Sequence, residues 1–320
     1  MLPSLPPLIP LNAYNLNSEQ FETKTVDYMS LLMNEEIYFD YLAKKTTVLS
    51  SEELFPQIVE NSEVSQSAPY IIARFDNIRC PRETILKLEA SGQYLHANRI
   101  NLTECSPLRV ATQAPLSITK GLFWEIILQE KSLLIVDLTM PHEVDLKESP
   151  IHIYYPEIGQ TLELPNGLFI QHLTEESFID EDRIILAQYK IYTKNKEKEH
   201  ILSRFHFQTW PDRQAITAHS LAKIVSYIHK IETSSQIHTP GPTFVHCRAG
   251  ISRTASVLIA LALYDLHLNE QLTSTNIQER LDELILNGRK QRGEVFIAEP
   301  CKLPPLIEYA YKLCKLKEKN

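Results

Sequence analysis

The sequence predicts an α/β or α+β chain, and three observations carry that prediction. Strand-like runs with alternation and β-branched residues are interspersed with runs that repeat apolar residues at helical spacing. Leu133-Leu-Ile-Val-Asp-Leu138 is continuously apolar between polar neighbours, the pattern of a strand buried on both faces. Finally, Pro242-Thr-Phe-Val-His246 runs through a tight turn into a helix-like stretch from Thr254 to Leu268.

In chain order, residues 1–17 are rich in Pro and Asn and read as irregular. Ser18 is placed to cap a helix through about Met33, and Asn34 to cap a second from Glu35 to Lys45. Residues 46–68, rich in Ser, Glu and Gln, read as a connector with a short helix. The composition shifts near Ala68, which divides the chain into an N-terminal helical extension, 1–68, and a main domain, 69–320. Short strands then follow around 69–75, 84–88 and 94–98. Lys120 to Glu130 reads as a helix with Leu122, Phe123, Ile126 and Ile127 on one side. Strands are expected near 151–155, 160–172, 183–193 and 205–208. Ala218 to Glu232 is an amphipathic helix, Thr254 to Leu268 is apolar on nearly all sides and reads as a central buried helix, and two more helices fall near Ser274–Leu286 and Leu303–Lys315.

Composition narrows the function classes. With 32 Lys+Arg against 40 Asp+Glu, the net charge of −8 excludes a global nucleic-acid footprint, so any anionic substrate is held locally. Five cysteines with no C-x-x-C pair argue against a zinc site or a disulfide framework and for a reducing, cytoplasmic setting at the time of action. The longest apolar run, Ala255 to Tyr264, falls short of the roughly 20 residues that span a membrane. The N-terminus lacks the positive segment of a secretory signal peptide.

The turn between the strand and the buried helix holds Cys247-Arg-Ala-Gly-Ile-Ser-Arg253, a cysteine and an arginine five residues apart. N–H groups at a helix start are unpaired and carry partial positive charge, so such a turn is an anion cradle. A thiol in that field loses its proton more easily: at an ordinary pKa roughly 3% is thiolate at pH 7, and a depressed one makes it nearly all thiolate. Arg253 offers a planar fork matching two phosphate oxygens, Thr254 a hydroxyl for the sulfur, and Gly250 a backbone that turns inward where a side chain would block it. Alone, a C-x5-R pair is also what a buried cysteine before a helix looks like. The strand before, the helix after, His246 and Ala249-Gly250 decide for phosphate chemistry. A second stretch, Thr209-Trp-Pro-Asp212, sets an aspartate at the tip of a stiff loop between a strand and a helix. Phosphate-ester cleavage needs a nucleophile, donors for the phosphoryl oxygens and an acid for the leaving oxygen; Cys247, Arg253 and Asp212 supply these. No metal or other cofactor is required.

Taken together these stretches resemble the protein tyrosine phosphatase family. Gln93-Tyr-Leu-His-Ala-Asn98 resembles its Tyr-Ile-Asn-Ala segment; Ala111-Thr-Gln-Ala-Pro-Leu116 with Phe123-Trp124 resembles its Thr-Gln-Gly-Pro…Phe-Trp run; Phe205 to Asp212 resembles its acid-loop strand and movable loop. They occur in family order from about Tyr70 to Lys315. The resemblance implies a central twisted, mixed β-sheet flanked by helices and a tyrosine-directed phosphatase acting on phosphotyrosine proteins through a cysteinyl-phosphate, without metal. It casts Cys247 as nucleophile, Arg253 as phosphate clamp and Asp212 as general acid. Arg248, Ala249, Gly250, Ile251 and Ser252 become the cradle, with Thr254 behind the sulfur, and Trp210 the hinge anchor of the acid loop. Ala73-Arg-Phe-Asp-Asn77 becomes the phosphotyrosine recognition loop, with Phe75 stacking on the substrate ring and Asn77 where an aspartate often holds peptide backbone.

Departures from the family pattern keep other readings in play. Arg213 and Gln214 stand where an aromatic and a glycine usually follow the acid. Ser252 resembles the dual-specificity branch, and Arg248 some phosphoinositide-directed relatives. Arg289-Lys-Gln-Arg-Gly293 resembles the start of the loop whose glutamines position the hydrolytic water, yet by count those glutamines fall at Ile297 and Cys301. A phosphotyrosine-binding module with slow turnover is therefore the alternative to an active enzyme. The divergence also leaves a secreted bacterial effector acting in a host cytosol as an alternative setting.

Overall fold

The computed structural model describes residues 53–54, 57–59, 71–178, 182–234, 241–297 and 299–318. The helices expected between Ser18 and Lys45 lie outside these. Strands β1 (Gln57–Val59) and β2 (Ile71–Ala73) form a small parallel pair. The division expected at residue 68 thus has hydrogen-bonded strands on either side of it, and the segment read as a connector with a short helix contains a strand at Gln57–Val59.

The other nine strands form one sheet: β3 (Ile85–Lys87), β4 (Tyr94–Ile100), β5 (Arg109–Gln113), β6 (Leu134–Asp137), β7 (Thr161–Glu163), β8 (Leu168–Phe178), β9 (Ile184–Thr193), β10 (Glu199–Phe207) and β11 (Thr243–Cys247). Their spatial order is β3-β4-β5-β11-β6-β10-β9-β8-β7. Pairing is parallel across the middle four, β5, β11, β6 and β10, and antiparallel on both arms, which is the mixed sheet that was expected.

Five helices cover it: α1 (Lys120–Gln129), α2 (Ala218–Ser234), α3 (Arg253–Leu268), α4 (Ile277–Arg292) and α5 (Leu303–Glu318). Alternation along the central strands divides the interior into two cores. Ala111, Val136 and Val245 face the core built with α2 to α5, while Val110, Ile135 and Phe244 face the core built with α1. Both faces of the middle strands are therefore buried, which is why β6 and β11 read as continuous apolar runs rather than alternating ones. Helix α3 has buried residues on almost every side because α2, α4 and α5 enclose it against the sheet.

Three elements differ from expectation. The run at 151–155 is not a strand: it is irregular, and its aromatic character reflects packing. The Tyr154 ring sits edge-on to Phe123 at 5.3 Å between centroids, its carbonyl accepts from Trp124 Nε1 at 2.7 Å, and its hydroxyl meets His246 Nε2 at 2.8 Å. The run at 160–172 is a hairpin, β7 and β8, turning at Gly167. Strand β5 went unread because Arg109, Thr112 and Gln113 are polar. Each is buried with partners: Arg109 donates to Asp265 at 2.8 Å and to Glu232 at 3.0 Å.

Candidate active site

β11, paired in parallel with β5 on one side and β6 on the other, ends on Cys247, and α3 begins at Arg253. The five residues between them turn so tightly that Gly250 takes a φ of 73° and packs against β5. A Cβ there would stand 2.2 Å from the Thr112 carbonyl oxygen, so no other residue fits without moving the sheet. The carbonyls of the turn are held from outside. Ala114 N donates to Arg248 O at 3.1 Å, Ile297 N to Ile251 O at 2.9 Å, and Arg292 to Ala249 O at 3.2 Å and Gly250 O at 3.1 Å. The Gly250 N–H points to the Cys247 sulfur at 3.3 Å. Ser252 stands at the N-cap of α3 without a side-chain cap, so the first-turn N–H groups are not taken up by its hydroxyl.

Cys247 is 1% exposed. Burial pushes its thiol pKa up, but Arg253, the Thr254 hydroxyl and the Thr254 backbone N–H together outweigh burial, and the net shift is downward. The nearby Asp212 carboxylate works in the opposite sense. Thr254 Oγ1 is buried and makes no well-formed hydrogen bond of its own among the described residues, leaving it free to turn toward the sulfur.

Arg253 is fully buried and held by a carboxylate that the sequence reading missed. Glu143, in a short 3₁₀ turn at Pro141–Asp145, takes Nη2 at 2.7 Å and Nη1 at 3.0 Å in a forked pair. Nη1 also donates to Leu138 O at 2.9 Å and Trp210 O at 3.0 Å. Burial opposes the guanidinium charge, but Glu143 and Cys247 more than restore it, so the group is held protonated more firmly than a free arginine. With the end-on edge on Glu143, the side-on edge remains. There Nε has no partner among the described residues, and Nη2 meets Asp212 Oδ1 at 3.2 Å.

That contact brings the acid loop over the cradle. Trp210 is 1% exposed; its Nε1 donates to Gln214 O at 2.7 Å and its carbonyl accepts from Arg253, which pins both ends of Pro211–Arg213. Arg213 adopts a φ of 58°, the left-handed region that glycine favours. The segment after α4 grips the same loop: Lys302 Nζ donates to Gln214 O and sits 5.0 Å from the centre of the Trp210 ring, and Cys301 Sγ lies 3.4 Å from Arg213 O. Burial lowers the Lys302 pKa.

Opposite the acid loop, Arg74 is buried and fans onto four carbonyls, those of Ala114, Pro115, Ser149 and Pro150, while its N–H reaches Gln113 Oε1 at 2.8 Å. Gln57 Nε2, from β1, donates to Phe75 O at 3.1 Å and Asp76 O at 2.9 Å. Thus held, half-buried Phe75 stands at the cleft wall, with the Arg248 guanidinium 5.4 Å from its ring centre. Arg248 also donates to the Ser149 and Glu148 carbonyls, so much of its hydrogen-bonding capacity is spent inside the protein.

The resulting cleft has a volume of ≈ 680 Å³. Of the residues singled out in the sequence, Phe75, Asn77, Asp212, Cys247, Arg248, Ala249, Ile251 and Ser252 line it together. Gly250, Arg253, Thr254 and Trp210 lie behind that lining and shape it. Ile297 is also behind it, fully buried, whereas Cys301 lines it. Four contributors were not read from sequence: Glu143, Arg292, Lys302 and Glu299, the last also lining the cleft. A charged residue destined for burial leaves no periodic trace, since its pattern is that of a surface residue. Among the described residues, no group of three or more His, Cys, Asp or Glu is gathered to hold a metal ion, and no helix is long and apolar enough to cross a membrane.

Residues 72–297 match the sequence model of the protein-tyrosine phosphatase family. Similar curated proteins include tyrosine-protein phosphatase 3 of Dictyostelium discoideum, 32% identical over 212 residues, which are 64% of this chain and 20% of that protein. Human tyrosine-protein phosphatase non-receptor type 7 is 34% identical over 170 residues, 52% of this chain and 43% of its own. Human non-receptor type 2 is 27% identical over 249 residues, 74% of this chain and 57% of its own. The chain thus spans between a fifth and three fifths of these relatives. A solved structure from work on the PTPN18 fingerprint on distinct HER2 tyrosine phosphorylation sites superposes with a TM-score of 0.64 at 22% identity, over 76% of this chain and 84% of that one, a likeness of fold.

Proposed function

We propose, from the premise that this chain belongs to the protein-tyrosine phosphatase family, that it hydrolyses phosphotyrosine on proteins through a cysteinyl-phosphate. The observation that carries the proposal is the meeting, at one cleft, of a thiol with a lowered pKa, a clamped arginine whose Nε has no partner among the described residues, and an aspartate reaching Nη2 of that same arginine. In the first step the Cys247 thiolate attacks phosphorus from the cradle floor. The phosphoryl oxygens take the N–H groups of Arg248 to Arg253 and the Nε donor of Arg253, joined by Nη2 as Asp212 turns from it to the leaving oxygen. The P–O bond breaks and Asp212 gives its proton to the tyrosine oxygen. In the second step a water attacks phosphorus, the P–S bond breaks with its electron pair returning to sulfur, and the water proton passes to the Asp212 carboxylate. Phe75 at the wall favours an aryl ester, since a ring needs a deep, flat-sided cleft. A cytosolic, reducing compartment suits a working thiolate.

One observation favours a second reading, a module that captures phosphotyrosine but turns over slowly. Ile297 is buried and apolar, and Cys301 is tied to Arg213, so neither offers an amide for the hydrolytic water. A phosphoinositide substrate draws less support, because the Arg248 charge that suggested it is engaged with Glu148, Ser149 and Phe75. One assay separates the three: phosphotyrosine peptide, phosphoserine peptide and phosphoinositide, without metal and with vanadate as control. Sustained turnover on phosphotyrosine peptide is expected. Cys247→Ser abolishes turnover but keeps peptide binding, and Asp212→Ala slows release of poor leaving groups most. A stoichiometric phosphate burst without turnover sinks the enzyme reading.

A further inference from the structure

Glu299 belongs to neither the acid loop nor the cradle, yet it lines the same cleft as Cys247, Asp212 and Ser252. Its Oε2 is buried and has no hydrogen-bond partner among the described residues. A buried carboxylate oxygen without a donor costs on the order of 1–3 kcal/mol or more, so a folded protein keeps one where something else is to meet it. The cation on its own segment, Lys302, does not hydrogen-bond to it; the Lys302 ammonium goes to Gln214 O and the face of Trp210. The Lys302 charge is felt by both Glu299 and Cys247, which line the same cleft.

The backbone around Glu299 is pinned on both sides, two residues away in each direction. Ile297 N is bonded to the cradle at Ile251 O, 2.9 Å, and Cys301 Sγ lies against the acid loop at Arg213 O, 3.4 Å. In sequence, Glu299 thus falls between a residue bonded to the nucleophile's loop and one set against the acid's loop. Asp212, the other carboxylate in the cleft lining, is engaged with Arg253. Ile297 and Cys301 supply no oxygen acceptor.

We propose that Glu299 holds the water that hydrolyses the cysteinyl-phosphate, accepting one of its O–H bonds through its carboxylate. This rests on the function proposed above and assigns a catalytic residue to its second step. The water oxygen bonds to phosphorus, the P–S electron pair returns to Cys247, one water proton goes to Asp212, and the other O–H stays hydrogen-bonded to Glu299. Lys302 and Arg253 offset the repulsion between the carboxylate and the phosphoryl group.

The test is rapid-quench kinetics on the full chain with p-nitrophenyl phosphate, following phenol release, decay of the phosphoenzyme, and transfer to added methanol. In Glu299→Ala, first-turnover phenol release stays within about twofold of the parent, decay slows by roughly tenfold or more, and phosphoenzyme accumulates. The share of phosphate passing to methanol rises, because an unheld water loses its advantage over another nucleophile; a purely structural role does not move that ratio. Glu299→Gln, whose amide oxygen still accepts, restores most of the decay rate. Unchanged decay in Glu299→Ala overturns the assignment, as does an equal fall in both steps or a failure of Glu299→Gln to recover decay. A parent chain that releases no phenol overturns the proposed function itself, and is told apart by the missing first step.

Discussion

Glu143 shows how a buried arginine is held in one plane. Its two oxygens fix the guanidinium plane, and the Met140 N–H at 2.7 Å fixes the carboxylate in turn. Removing one partner of a buried ion pair leaves the other charged and unpaired, at a cost of about 3–5 kcal/mol. Glu143→Gln, which keeps the shape and loses the charge, is expected to lower kcat/KM on aryl phosphates by about 10- to 100-fold while a cooperative thermal transition persists; parent-like kinetics would remove Glu143 from the clamp. At this scale the sequence was partly legible. Cys247, Arg253 and Asp212 stand in short, ordered motifs whose chemistry can be argued from residue type and spacing. Glu143 and Arg292 act through contacts with residues far off in the chain, which the local sequence does not show.

Among the elements, the acid loop is the one whose position is set by others. Its Gln214 carbonyl is shared by Trp210 and Lys302, and Arg213 O lies against Cys301. The departure of Arg213 and Gln214 from the family pattern is thus met by backbone contacts, which do not depend on those side chains. Lys302→Met keeps the buried stem and removes the donor. It is expected to lower kcat by about tenfold and to steepen the dependence of rate on leaving-group acidity, since Asp212 would deliver its proton less often from the right place. A series of substituted phenyl phosphates measures that slope; an unchanged slope would mean that the clamp does not govern proton delivery. Helices were the most legible elements, because each buries one broad apolar face or, for α3, nearly all of it. Strand β5 was hidden by polar residues, Arg109 with partners on α2 and α3 and Thr112 and Gln113 with partners on β4 and β2, and the 151–155 run imitated a strand because burial, not pairing, selected its aromatics.

For the molecule as a whole, three buried histidines, His96, His206 and His246, bear on the response to acid, each with a pKa lowered chiefly by burial; the first two have their bonds fully defined. His96 donates from Nε2 to Ile78 O at 2.9 Å and accepts from Arg292 at Nδ1, 3.1 Å; His206 donates from Nε2 to Thr139 O and accepts from Arg204 at Nδ1, both at 2.8 Å. Both rings must be neutral to keep these bonds. Burial, aided by the neighbouring arginine in each case, lowers their pKa values to about 3 and about 4. Between an unfolded value near 6.5 and those folded values the unfolded chain binds more protons, so stability is full above about pH 6.5 and falls as pH drops toward 4. Asp137, pulled well below the carboxylate range despite burial by His206, His246 and Arg204, adds to the loss at still lower pH. The melting temperature is expected to decline steadily from pH 7 to pH 5, and His206→Asn to flatten that slope; a melting temperature independent of pH across this window would contradict it. The sheet also has a bearing on how the protein is made. Its central parallel strands, β5 and β11, are joined across more than a hundred residues, and the arginine that braces the cradle, Arg292, comes later still. A ribosome delivering the chain from its N-terminus would release Cys247 into a chain still lacking that brace. Until the cradle closes, Arg253 and Thr254, the groups that lower the thiol's pKa, are not yet held against it, so its reactivity arrives only with the finished domain.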